Sequence, residues 1–182
     1  LLVGELAQLN ASMNPGQADV PAFPETRLTA WLGRETSTAR AAGAPARLVR
    51  FKSPATDHPD VVEKGDLVPL PPNLGLLFGF ADLQGYEAIV DRHVEEVLDL
   101  IEPGLAVQHH LVRELRLPES LASPLLDLLA VRWVLSPGVL PLPSVFQNEV
   151  ERVAVYENPD ALPRFQAPAR VRVVSSEAEV LA

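Results

Sequence analysis

The sequence has no cysteine, so neither a disulfide framework nor a thiolate metal site is open to it. That absence leaves the compartment undecided. There is no surplus of basic side chains either: 15 Lys and Arg stand against 24 Asp and Glu, a formal net charge of -9. Such a balance argues against a general nucleic-acid binder, because phosphate binding needs cationic side chains. It argues equally against docking on anionic lipid through a basic patch. No apolar run reaches the roughly 20 residues of a membrane helix. The opening Leu1-Leu2-Val3-Gly4-Glu5 has neither the basic start nor the apolar stretch of a signal peptide. It also lacks an initiator Met, and the chain is expected to be a piece of a longer polypeptide. Glycine is scarcer than proline, 10 against 18, which points to long, ordered, extended connections.

Several chemical signatures are missing as well. No serine sits in a Gly-x-Ser-x-Gly elbow. There is no Gly-x-Gly-x-x-Gly, and Gly75 and Gly79 precede the clearest helix rather than follow a strand into it. No His-Glu-x-x-His pattern occurs. The expectation is an isolated domain without catalytic turnover, cofactor or metal.

What is present fits one domain: 182 residues, 47% of them hydrophobic, enough for a sizeable core. Residues 1–25 read as an extended lead-in and 26–182 as the body. Thr26 can cap a helix over Arg27 to Glu35. Arg47 to Phe51 reads as a strand, and residues 73–80 as a short helix entering a Gly-rich bend in which Gly85 is a candidate for positive φ. Asp91 to Glu102 forms a helix with Val94, Val97, Leu98 and Ile101 on one face, stopped by Pro103-Gly104. Another helix is predicted over Val107 to Leu117, and one from Pro124 capped by Ser123. Val131 to Leu135 switches to strand. Phe146 to Val150, Arg152 to Glu157, Arg164 to Ala167 and Arg170 to Val174 follow as strands. Ser175-Ser176-Glu177 looks like the cap of a further helix. The fold class is therefore α+β: a central mixed sheet of about five strands, with helices mainly on one face. In that sheet Arg47–Phe51 and Val131–Leu135 pair with the C-terminal strands.

Candidate chemistry is thin. His110 and Glu114 lie at i, i+4 on the predicted helix and, with His109, come nearest to a metal set, yet no further ligand is evident. Glu95, Glu96, Asp99 and Glu102 fall opposite the apolar stripe of their helix, which makes a solvated face the simpler account. Asp82 and Asp91 are a conceivable carboxylate pair, although Asp91 serves equally well as a helix cap. Arg132 lies within an interior strand. It needs a partner if buried, or it points outward on the strand's other side.

Four phrases in order carry a resemblance. They are Asn14-Pro15 with Phe23-Pro24-Glu25-Thr26; Pro72-Asn73, Gly79 and Gly85-Tyr86-Glu87; Leu128 through Leu135; and Val155-Tyr156-Glu157-Asn158 with Leu162-Pro163-Arg164. Together they resemble the extracytoplasmic domain of the YfhO-like family of bacterial multi-spanning membrane proteins. The chain departs from that pattern at Glu87, where the family usually has Asp, at Ala130, where it often has Gly, and at Trp133, where it has Tyr. The resemblance implies a parent similar to polyprenyl-phosphate-sugar-dependent glycosyltransferases, acting on cell-envelope polymers outside the membrane. Its catalytic acids are expected in membrane loops that this chain lacks. The implied partners are the membrane-embedded part of the same polypeptide and a glycan or lipid-linked sugar, with no nucleic acid. Asn73, Gly85, Tyr86 and Arg132 are the positions it marks, more as keepers of the fold than as ligand contacts. The alternative is a sugar- or protein-binding module without enzymatic association, using a groove lined by Tyr86, Trp31 and Trp133.

Overall fold

The computed structural model describes residues 24–52, 70, 73–84, 91–104, 114–168, 170, 171, 173 and 174. Helix α1 (Arg27–Ala41) begins at a reciprocal capping box: Thr29 N donates to Thr26 Oγ1 at 3.2 Å and Thr26 N to Thr29 Oγ1 at 2.9 Å. It runs past the predicted Glu35 because Thr36 and Ala39 extend the buried stripe begun by Leu28 and Leu32. Gly43, at φ 68°, then reverses the chain, with Ala44 N bonded to Ala39 O and Gly43 N to Arg40 O.

The chain continues as β1 (Arg47–Arg50), α2 (Gly75–Phe78), β2 (Ala81–Asp82) and α3 (Arg92–Ile101). A 3-10 turn (Pro118–Ala122), α4 (Pro124–Leu128), β3 (Val131–Ser136), β4 (Ser144–Asn148) and β5 (Val153–Glu157) follow. The five strands form one mixed sheet in the order β2-β1-β3-β5-β4. β1 is parallel to β2 and β3, while β5 is antiparallel to β3 and β4. The fold is α+β, as the sequence predicts. One pairing is corrected: β3 neighbours the C-terminal β5, but β1 sits between β2 and β3.

Strand alternation splits the core in two. Leu48, Trp133, Leu135 and Val155 face α1 and α2. Val49, Val134 and Tyr156 face the other way, with Leu98 and Ile101 of α3 and Leu126 of α4. The expectation placed helices mainly on one face. α3, the 3-10 turn and α4 do gather on this second face, and α1 with α2 covers the first. β3 is apolar on both sides, so neither can be left to water.

Other boundaries change for local reasons. The helix expected to reach Leu117 does not: Leu115 forms a β-bridge with Phe51, and Lys52 N donates to Leu115 O at 2.7 Å. β2 is short, so the rest of that flank of β1 takes an extended partner. β4 starts earlier than predicted and ends at Asn148, before a turn in which Arg152 has φ 49°. The described residues of 164–174 form no strand. Phe165, Val171 and Val173 are exposed there, outside the ladder that ends at β4.

Candidate functional site

Arg132 is the extra residue of a bulge in β3, since Arg47 aligns with Val131 and Leu48 with Trp133. It is half-buried and ion-paired: Nη2 lies 2.8 Å from Glu157 Oε1, and Nε donates to the same oxygen at 2.9 Å. Its guanidinium also stands 4.5 Å from the centroid of the Trp133 ring. Both sequence readings of Arg132 therefore meet in one residue, partly exposed and yet paired.

Trp133 is buried, and its indole Nε1 has no hydrogen-bond partner among the described residues. Trp31 packs on it with ring centroids 5.9 Å apart, and on Phe146 at 5.3 Å. The two tryptophans belong to the sheet–α1 core rather than to the wall of an open groove, which corrects the aromatic groove entertained from sequence. Tyr86 and Gly85 lie outside the described residues.

Asn73 and Gly79 bracket α2. Asn73 has φ 67° and its carbonyl accepts from Leu76 N at 3.1 Å; Gly79 closes the helix at φ 77°. Between them Gly75 lies so close to the returning chain that a Cβ would stand 2.4 Å from Phe80 O. Asn73 thus shapes a tight turn on one element and Arg132 a bulge on another, and no described contact joins them.

The remaining candidates resolve into structural work. Asp82 ion-pairs with the buried Arg50 guanidinium and accepts from Gln84 N at 2.9 Å. Asp91 is the exposed cap of α3, accepting from His93 N at 2.8 Å. That backbone hydrogen bond, above all, holds its carboxyl below the usual range. The predicted acidic face divides. Glu96 pairs with Arg92 at 2.7 Å, i to i+4, but Glu102 is buried, a correction to the solvated face. At the end of α3 it turns inward and accepts from Arg116 N, Leu117 N and Ser120 Oγ, holding the 3-10 turn. His109 and His110 lie outside the described residues. Glu114 sits in the extended lead to Leu115, not on the helix that would align it with His110.

Two polar clusters were not found from sequence. Among the described residues, Arg50 is the largest fully buried side chain. Its Nε donates to Leu70 O at 3.1 Å, its Nη1 donates to Gln84 O, and the Gln84 carboxamide bonds both backbone groups of Arg50. The signal was available: Arg50 shares its strand face with Leu48. Asn158 is the second. Its Nδ2 donates to Asp127 Oδ1 at 2.7 Å and to Val131 O at 3.0 Å, and its Oδ1 accepts from Asp160 N at 3.2 Å. A shallow groove of about 520 Å³ runs along α1 beside Phe78, with Glu25, Arg34 and Ser37 on its walls. Among the described residues, no three His, Asp or Glu gather as a metal set. Comparison with family models, curated proteins and solved structures returns no match for the chain.

Proposed function

We propose that the chain is the extracytoplasmic accessory domain of a YfhO-like bacterial membrane protein. It works beside the membrane-embedded part of its own polypeptide in glycosylating a cell-envelope polymer. The supporting observation is that two of the phrases carrying the resemblance interlock, and that described residues from two of them sit where the backbone makes special demands. Leu128–Leu135 and Val155–Asn158 meet in β3 and β5. There Asn158 N donates to Arg132 O at 2.8 Å, and its side chain donates to Val131 O. Ala130 stands where the family often has Gly, and its φ is 58°, a conformation glycine adopts freely. Asn73 and Gly79, from another phrase, also have positive φ. In this reading the domain is a scaffold that shapes the acceptor side, and chemistry belongs to the membrane loops.

The test uses the full-length protein carrying Val150→Cys, a position 90% exposed. A membrane-impermeant thiol reagent should label it on intact cells. Labelling only after lysis would place the domain inside and remove the basis for the envelope role.

A further inference from the structure

We infer that the end of the domain where β1, β2 and β3 begin is a docking surface for an anionic phospholipid bilayer; this rests on the membrane setting proposed above and names what the domain touches there. Arg47 marks that end, because it is registered with both Ala81 of β2 and Val131 of β3. α2 leads into β2 through Gly79 and Phe80, and exposes Leu76 at 87% and Leu77 at 64%. α4 enters β3 there, with Leu128 at 56% exposure and Leu129 O accepting from Arg47 Nη1. β5 leaves at the same end. Leu162 N bonds Asp127 O, and the half-buried Arg47 guanidinium is held below its usual pKa by burial first and by the charge of Arg164 second. Phe165 follows, 89% exposed, with the Arg164 guanidinium 5.9 Å from its ring centroid.

Exposed large apolar side chains from three separate segments, α2, α4 and the chain after β5, therefore adjoin the strand ends where the arginines lie. That is the chemistry of an interfacial contact, in which apolar groups enter the headgroup–acyl boundary and guanidinium groups reach phosphates. Total charge does not forbid it, because what matters is where the charges sit. Arg47 and Arg164 lie at this end, and Arg40 is in the last turn of α1, which leads into it. Of the nearby acids, Asp127 is held by Asn158 and Glu157 by Arg132, while Asp160 opposes the contact. A neutral surface would gain from the leucines alone. The arginines favour an anionic one.

The experiment is co-sedimentation of the 182-residue protein with vesicles of phosphatidylcholine mixed with phosphatidylglycerol, against phosphatidylcholine alone. Binding to the mixed vesicles should be the stronger and should fall with added salt. The double variant Leu76→Glu, Leu77→Glu and the single variant Phe165→Glu should each bind at least about tenfold more weakly. Their far-UV spectra should be unchanged, since these side chains are exposed. Val139→Glu, 95% exposed beyond the opposite end of β3, should bind as the parent does. Absence of binding to the mixed vesicles, or equal loss in Val139→Glu, overturns the proposal. So does crosslinking from Leu77 to the membrane-embedded protein in place of lipid. The Cys labelling above does not depend on vesicle binding, so either idea can fail alone.

Discussion

Asn158 ties the end of β5 to Asp127 of α4 and to the start of β3. Replacing it with Ala deletes the bonds to Asp127, Val131 O and Asp160 N. The backbone bond from its N to Arg132 O can remain. A neutral hydrogen bond contributes about 1 kcal/mol net and one to a charged group about 1.5–3. Since Asp160 N is nearer water than the other two partners, the expected loss is about 3 kcal/mol. With a urea slope of about 2 kcal/mol per M, the midpoint should fall by about 1.5 M. Asn158→Asp should be worse at neutral pH. It sets a second carboxylate against Asp127 across what was a 2.7 Å contact, and removes the donor to Val131 O. Unit charges at about 4 Å repel by about 4 kcal/mol at an effective dielectric of about 20. Burial and the neighbouring charge both raise the new carboxyl's folded-state pKa above its unfolded value. The folded state then binds the extra proton more tightly, so the deficit should shrink as pH falls through that raised pKa. Urea titrations at several pH values, each against the parent protein, measure this. A loss under about 1 kcal/mol for Ala, or an Asp variant whose deficit is flat with pH, would refute the argument.

Other perturbations have equally definite directions. Asp82→Ala strips the buried Arg50 of its carboxylate and should cost about 3–5 kcal/mol, whereas Arg50→Met, which removes the charge, should cost less; equal losses in denaturant melts would contradict this. Asp91→Ala should lower the helical signal near neutrality, because the capping carboxylate has a depressed folded-state pKa. Its stabilisation is present above the unfolded Asp pKa and lost as pH falls through the folded one, so parent and variant should converge on acidification. Ala130→Gly should fall within about 1 kcal/mol of the parent in urea melts, since relief of a left-handed alanine offsets lost burial and added chain entropy. Ala39→Gly, equally buried but inside α1, gains no such relief and should cost about 2 kcal/mol.

Elements whose signal is local could be read from the sequence. Thr26 before an i, i+3, i+4 stripe gave the start of α1, and Ser123-Pro124 the start of α4. Val131 to Leu135 reads as a buried strand whichever neighbours it finds. Segments whose state depends on a distant partner were read wrongly. Leu111 and Leu115 satisfy a helical period, but Leu115 is drawn extended by the open flank of β1. Arg170 to Val174 alternates as a strand should, yet alternation does not supply an edge to pair with. Polar residues were misjudged for the same reason. Glu102 continues the acidic face of α3 in sequence and leaves it in space, because as the C-cap it has extended rather than helical backbone and its carboxylate accepts from the N–H groups of 116 and 117. Of the marked positions, Asn73 and Arg132 occupy special backbone sites, a turn and a bulge.

The topology bears on the scaffold role in one further way. Between β1 and β2 the described residues Leu70, Leu74 and Phe80 lie in the core of the face covered by α1 and α2. The chain then crosses the opposite face through α3 and α4 to reach β3, on the other side of β1. An open parallel sheet diverges in this manner at the carboxyl ends of its strands, and the crevice there is where such folds hold their ligands. In this domain the protein itself occupies that place. Phe51 N closes the ladder onto Leu135 O at 2.8 Å, Leu115 lies along the opposite flank of β1, and Leu140 is buried in the same cluster. Tyr156 OH donates to Gly138 O at 3.0 Å and pins the segment that follows β3. A ligand entering between the carboxyl ends of β1 and β2 would have to displace Leu115, which is buried there beside Phe51 and worth about 1.5–3 kcal/mol in the core.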